Sequence, residues 1–136
     1  MSVRTVFLCK LIGISCLLVG LAIGIHKQAT LDMVGALVRD APVSFVFGLI
    51  LVAAGLALIL AHNVWSGGAA PVAVTLVGWA TLIKGMAFLF LPPPAAVGIG
   101  VWGSDYERFF YAGVAVAIVL GAYLTYAGFK ATPARA

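Results

Sequence analysis

The fold of this chain is decided by twenty residues without a single charge, PVSFVFGLILVAAGLALILA at positions 42–61. A helix of about 20 residues at a rise of about 1.5 Å per residue is as long as the hydrocarbon layer of a bilayer is thick. Inside hydrocarbon the backbone amides have no water to bond, so a spanning segment forms its hydrogen bonds within itself or in a closed barrel. The stretch therefore predicts a transmembrane helix.

Three more windows of spanning length flank this one, at residues 6–25, 72–91 and 109–129. Only 9% of the 136 residues are charged, whereas soluble domains carry about 25%. So few charges could not cover the surface of a soluble fold, so the apolar excess must face lipid. The sequence predicts an all-α integral membrane protein, with four transmembrane helices in a single domain covering residues 1–136.

The joints between the windows predict how the helices are arranged. Residues 66–71 form a short joint, so the second and third spans should be antiparallel neighbours, and the prolines at 92–94 should end the third span. The longer first joint, residues 26–40, carries apolar residues at near-helical spacing. With Thr30 as an N-cap and Arg39 in the last turn, it predicts a short interfacial helix.

The charged residues predict the orientation. An even number of spans puts both termini on one side, which carries four basic residues and no acid: Arg4, Lys10, Lys130 and Arg135. The other side carries three basic residues and all four acids: Lys27, Arg39, Arg108, Asp32, Asp40, Asp105 and Glu107. Loops rich in lysine and arginine stay on the cytoplasmic side. We therefore predict that both termini lie in the cytoplasm. The overall plan resembles that of many small four-span bacterial inner-membrane proteins, so the expected location is a bacterial inner membrane.

A weak internal repeat relates the two halves of the chain. A shift of 65 residues aligns the first span with the third and the second with the fourth, with ten identities over positions 11–61. About half of them are expected by chance in so apolar a sequence. If the repeat is real, the protein is a duplicated helical hairpin whose pseudo-axis runs along the membrane normal. Lys84 then falls opposite Val19 and breaks the symmetry.

Lys84 is the first candidate functional residue, because it is a cation inside the third span. A charge within a span is costly, and such residues usually face a bundle interior or a partner. The alternative is snorkelling to the surface, but the stem of a helical side chain starts out toward the helix N-terminus, away from the nearer surface. Asp105, which precedes the fourth span, is the first choice for its partner.

His62 is the second candidate polar residue, at the end of the second span. A histidine can bind haem or metal or transfer protons. The only other histidine, His26, ends the first span and so lies on the opposite face, which excludes a bis-histidine site within one copy. The simpler interpretation is an interfacial cap on the helix end beside Trp65. No metal or other cofactor is predicted.

Small residues recur four positions apart on three of the spans. They include Gly20 and Gly24, Ala53 and Ala57, and Gly113, Ala117 and Gly121. Such stripes let helices approach closely in lipid. They could serve this bundle or an oligomer, and the sequence leaves both open.

These features favour a non-enzymatic function. The sequence shows no nucleophile paired with a base, no metal-ligand spacing and no phosphate-binding glycine loop. The leading hypothesis is a protein that acts through helix packing, as an accessory subunit of a membrane complex or as a homo-oligomeric scaffold. Its partners would be the lipid bilayer and another protein or a second copy, and not nucleic acid.

Two other functions remain as alternatives. One is a small oligomeric channel or transporter that uses Lys84 for an anionic solute or a lipid head group; four short helices are too few to enclose a pathway alone. The other, ranked third, is a membrane enzyme that handles quinones or lipids.

Overall fold

A computed structural model of the chain describes residues 1–98 and 106–131, and the regular structure in that part is helical. The helices are α1 (Val3–Ile25), α2 (Lys27–Arg39), α3 (Ala41–Ala61), α4 (Ala69–Phe90), α5 (Pro93–Gly98) and α6 (Tyr106–Lys130). Four of these, α1, α3, α4 and α6, are long and apolar enough to cross a membrane. The predicted set of four spanning helices is confirmed, and it indicates a multi-pass membrane protein.

The first two spans begin where a side chain can bond the free amides of the first turn. Ser2 precedes α1, and its hydroxyl accepts a hydrogen bond of 3.2 Å from the backbone of Thr5. Asp40 precedes α3, and its carboxylate accepts a bond of 3.1 Å from the backbone of Val43. These N-caps start α1 at Val3 and α3 at Ala41, slightly before the boundaries expected from hydropathy alone.

The short helix expected between the first two spans is present as α2, but Thr30 is not its N-cap. The chain turns at His26 and α2 begins at Lys27, so Thr30 lies inside the helix. There its hydroxyl donates a hydrogen bond of 3.0 Å to the carbonyl oxygen of His26, one turn earlier. Threonine makes this bond when it lies within a helix. Arg39 lies in the last turn, as predicted.

The joint between α3 and α4 ends in a turn formed by Gly67 and Gly68. Both have positive φ angles, of 88° and 115°, which strongly favour glycine. Helix α4 starts at Ala69, before the predicted boundary, because Pro71 fits in a first turn, where its missing N–H is not needed. The helix ends at Phe90, before the prolines, and the unexpected α5 begins at the second of them, Pro93.

The four long helices form two antiparallel pairs, α1 with α6 and α3 with α4. The pairs meet between α1 and α4 at the end of the bundle that carries both chain termini. A core cluster there is formed by Leu8, Cys9, Ile12, Ala70, Val74 and Leu124. A second cluster, at the opposite end, joins α4, α5 and α3 through Ala87, Phe88, Ala96 and Leu51.

The outside of the bundle is apolar. Leu60 is 84% exposed and Phe90 is 80% exposed, and many other large apolar side chains are at least half exposed. Soluble monomers rarely show a continuous apolar surface of this extent. In a bilayer the same surface faces hydrocarbon, as the composition predicts.

Candidate functional site

Lys84 is half-buried in the last third of α4 and directs its ammonium toward α5. Nζ donates a hydrogen bond of 2.9 Å to the carbonyl oxygen of Ala96. Ala96 lies in the last turn of α5, where carbonyl groups have no partner within the helix and carry partial negative charge. The lysine thus binds the C-terminal end of a neighbouring helix.

The Lys84 side chain also lies beside an aromatic ring of its own helix. Its Nζ lies 5.5 Å from the ring centroid of Phe88, four residues further on. Phe88 is buried and meets Phe47 edge-to-face, with a centroid distance of 5.3 Å. The lysine stem has four rotatable bonds beyond Cα, which let the ammonium reach both the carbonyl oxygen of Ala96 and the ring of Phe88.

The proposed partner Asp105 lies outside the described residues, so its pairing with Lys84 stays a prediction. The contacts of the ammonium within the described residues include the backbone carbonyl of Ala96 and the ring of Phe88. An ammonium has three N–H donors, and Ala96 accepts from one of them. The contact with Ala96 orients the ammonium toward α5.

His62 is buried at the C-cap of α3 and connects this helix to the start of α4. Its backbone N–H donates a hydrogen bond of 2.8 Å to the Leu58 carbonyl, which closes the last turn of α3. Its ring Nε2 lies 3.2 Å from the carbonyl oxygen of Pro71, to which the tautomer protonated at Nε2 donates. Through these contacts His62 connects the end of α3 to the start of α4.

Thr75 completes this connection, and the sequence reading missed it. Its hydroxyl is fully buried, accepts a hydrogen bond of 3.0 Å from the backbone N–H of Val64 and lies 2.9 Å from the carbonyl oxygen of the same residue. The hydroxyl also lies 3.2 Å from the Pro71 carbonyl, so its single hydrogen chooses between two acceptors. The sequence feature that could have indicated Thr75 is its place four residues after Pro71, in the helix that follows Gly67 and Gly68.

Most of the predicted small residues pack inside the bundle. A Cβ atom added to Gly20 of α1 would lie 3.4 Å from Ala117 Cβ of α6, and one added to Gly121 would lie 2.9 Å from the Gly13 carbonyl oxygen. Gly24 meets Val114 in the same way, and Gly113 is buried. These small residues therefore let the backbones of α1 and α6 approach closely.

Ala53 and Ala57 lie elsewhere. Both are exposed, as is Ala61 one turn further along α3, while Gly48 and Gly55 make the close contacts with α4. Within the described part of the chain, the stripe that starts at Ala53 has no helix packed against it. Of the predicted stripes, it is the one that the described part of the fold leaves exposed.

Three lysines near helix ends lie over aromatic rings. Lys10 and Lys130 contact Phe129 and Tyr126 at the end with the termini, at 4.5 Å and 5.3 Å from the ring centroids. At the opposite end, Lys27 lies 5.4 Å from the ring of Tyr111. Such cation–π contacts are worth about 0.5–1 kcal/mol at exposed sites.

An open groove of about 450 Å³ lies between α2 and α3. Its lining side chains are all apolar: Met33, Leu37, Pro42, Val43, Val46, Phe47 and Ile50. Sites for small polar ligands carry a few polar groups that fix the ligand's orientation, and this lining offers none. The groove suits hydrocarbon.

Comparisons with protein-family models, with curated proteins and with solved structures find no match to this chain.

Proposed function

We propose that the protein is a non-enzymatic integral membrane protein that acts through helix packing, as a homo-oligomeric scaffold or an accessory subunit of a membrane complex. The observation that carries the proposal is the exposed stripe Ala53, Ala57 and Ala61 on α3. In lipid the hydrophobic effect does not drive helices together, so association depends on close packing at small residues. A free stripe of this kind supports a packing role.

The position of α3 in the fold strengthens the proposal. Only 17% of its most apolar window is buried, compared with 39% for α4. Among the spanning helices, α3 packs chiefly against α4 and uses Gly48 and Gly55 for that contact. Within the described residues, the part of the opposite face that carries Ala53, Ala57 and Ala61 therefore has no spanning helix packed against it.

The proposed location is a bacterial inner membrane with both termini in the cytoplasm. The end of the bundle with the termini carries Arg4, Lys10 and Lys130, whereas Asp32 and Asp40 lie at the other end. Loops rich in basic residues remain on the cytoplasmic side. This distribution supports the orientation.

The duplicated hairpin is also a proposal, and equivalent contacts in the two helix pairs support it. Gly20 of α1 packs against Ala117 of α6, and Gly85 of α4 packs against Val52 of α3. A shift of 65 residues aligns Gly20 with Gly85 and Val52 with Ala117. Aligned residues thus make equivalent contacts in the two helix pairs.

The oligomeric state tests the packing role. We expect the protein in mild detergent to have a mass above that of the 14.0 kDa chain, measured by native mass spectrometry, with whole multiples for a scaffold and a non-integral excess for an accessory subunit. Ala57→Leu should shift it toward the monomer, because a bulky side chain prevents close approach.

The matched control is Ala122→Leu, on an exposed position of α6 outside the stripe. It should leave the mass unchanged. A parent protein that is strictly monomeric and without a partner, in detergent and after cross-linking in native membranes, would contradict the proposed function.

A second candidate is an oligomeric channel or transporter that uses Lys84 for an anionic solute or a lipid head group. It is favoured by a half-buried ammonium within a spanning helix. Flux of anions in proteoliposomes tests it, with Lys84→Met as the comparison. Absence of flux for ions and small solutes would remove it.

A further inference from the structure

The end of the bundle with the chain termini carries a compact group of two lysines and two aromatic rings. Lys10 of α1 packs across Gly128 of α6, where an added Cβ atom would lie 2.9 Å from Lys10 Cγ and 3.1 Å from its backbone nitrogen. This close approach brings the lysine stem onto α6. Its Nζ then lies 4.5 Å from the ring centroid of Phe129.

The second lysine belongs to α6 itself. Lys130 donates a hydrogen bond of 3.1 Å from Nζ to the hydroxyl of Tyr126, one turn earlier. Tyr126 is 62% exposed and Phe129 is 65% exposed. Helical geometry puts Phe129 and Tyr126 on adjacent positions of one face, so the two ammonium groups flank two exposed rings. We call Lys10, Tyr126, Phe129 and Lys130 the terminal patch.

Among the described residues, the acids lie away from the terminal patch. Asp32 lies within α2 and Asp40 caps α3, both at the other end, and Glu107 belongs to the first turn of α6. In the described ranges, the contacts of Lys10 and Lys130 are with aromatic rings and one phenol. Arg4, exposed in the first turn of α1, adds a further positive charge at this end.

We propose that the terminal patch binds the phosphate of an anionic phospholipid head group. Exposed tyrosine and phenylalanine beside lysine at the end of a spanning helix are typical of head-group depth. Basic groups there gain about 1 kcal/mol each from an anionic surface. The rings hold the two ammonium groups at this end of the bundle, where each can donate to a phosphate oxygen.

A lipid fits the surroundings better than an acidic segment of a soluble protein does. Phe7, 61% exposed, and Val3, 64% exposed, also lie on α1 near this end. Acyl chains can follow this apolar surface while the head group stays at the lysines. The proposal does not depend on the oligomeric state or on the α3 stripe.

The test is lipid binding to delipidated protein, followed by native mass spectrometry, with dioleoyl phosphatidylglycerol, dioleoyl phosphatidylcholine and water-soluble glycerol 3-phosphate as three separate probes. We expect phosphatidylglycerol to bind more tightly than phosphatidylcholine, and the preference to shrink with added salt. Lys10→Gln with Lys130→Gln should weaken phosphatidylglycerol binding by roughly fivefold for each lysine.

The matched control is Lys27→Gln, which removes a lysine over aromatic rings at the opposite end. It should keep the preference, as should Lys130→Arg. Equal binding of the two lipids, an unchanged preference in the double variant, or equally tight binding of glycerol 3-phosphate would each overturn the proposal. Circular dichroism of every variant establishes that it is folded before binding is compared.

Discussion

Gly13 of α1 packs directly against the backbone of Thr125 of α6. A Cβ atom added to Gly13 would lie 2.5 Å from both the backbone nitrogen and the Oγ1 of Thr125. The other helix pair has an equivalent point, where a Cβ on Gly55 would lie 2.5 Å from the backbone nitrogen of Leu82. Side chains do not fit at such separations, so each pair depends on a glycine at its closest contact.

Gly13→Val and Gly55→Val should therefore each destabilise the protein. The added atoms must push two backbones apart, and overpacking of this kind typically costs about 1–3 kcal/mol. Thermal unfolding in detergent, followed by circular dichroism, measures the loss.

Gly35→Ala in α2 is the control for these two changes. Its Cβ would meet only the guanidinium end of Arg39, at 3.4 Å, and that end can move away. Alanine also stabilises a helix interior relative to glycine by about 0.5–1 kcal/mol. If Gly13→Val and Gly35→Ala unfolded at the same temperature, the close contact would have no energetic importance.

Thr75→Val should loosen the segment between α3 and α4. The change keeps the shape of the side chain but removes the hydroxyl that bonds both backbone groups of Val64. The loss of such a partly buried hydrogen bond costs about 0.5–1.5 kcal/mol. Amide hydrogen exchange at residues 62–66 should become faster, and Thr75→Ser should preserve most of the protection.

Thr81→Val is the matched control on the same helix. The Thr81 hydroxyl bonds only the Val77 carbonyl of its own helix, at 2.7 Å, among the described contacts. Its loss should leave exchange at residues 62–66 unchanged. Equal effects of the two valine variants would show that Thr75 is an ordinary helix residue.

Lys84→Met should insert into the membrane as well as the parent does, since it removes a charge from a spanning helix. It should weaken the attachment of α5, because Ala96 loses a charged donor, an interaction worth about 1.5–3 kcal/mol. Lys84→Glu should be worse, because a carboxylate cannot donate to a carbonyl and adds to the acids at that end. Hydrogen exchange over residues 93–98 measures the attachment.

Lys84→Arg is the conservative variant and should retain much of that protection. Unchanged exchange in Lys84→Met would show that the bond to Ala96 contributes nothing. The lysine would then be a snorkelling residue without a role in the fold.

Cysteine labelling tests the orientation. Gly67 and Gly68 are unsuitable positions because of their positive φ angles, so Ser66→Cys is the better choice in this exposed turn. In a background with Cys9→Ala and Cys16→Ala, it should react with impermeant reagent only from the cytoplasm. Gln28→Cys, exposed at the opposite end, should react only from outside. The reverse pattern would invert the topology.

Hydropathy and helix-breaking residues were enough to find the spans, because hydrocarbon imposes a length and a composition on any helix that crosses it. The ends were less predictable, since they depend on particular contacts. Asp40 caps α3 with its side chain, whereas Thr30 bonds backward within α2. Sequence spacing alone did not distinguish these two uses of a side-chain oxygen.

The candidate site was likewise predictable from the sequence only in part. Lys84 could be found from the sequence because it is a charge within the third span. The carbonyl of Ala96 that it binds could not be predicted, because a helix that begins among three prolines was not expected. The sequence also did not show which stripe of small residues would remain exposed. Gly20 and Ala57 have similar sequence surroundings, and only the pairing of α1 with α6 shows that the first is used internally.

The first core cluster has a mechanical consequence. It joins Leu8 and Ile12 of α1 to Val74 of α4 near the termini, whereas the second cluster involves α3, α4 and α5 and no side chain of α1 or α6. If one helix pair rotates against the other, Val74 therefore lies close to the axis of that rotation. The same rotation would displace the far end of the pair most, on the side where α2 connects α1 to α3.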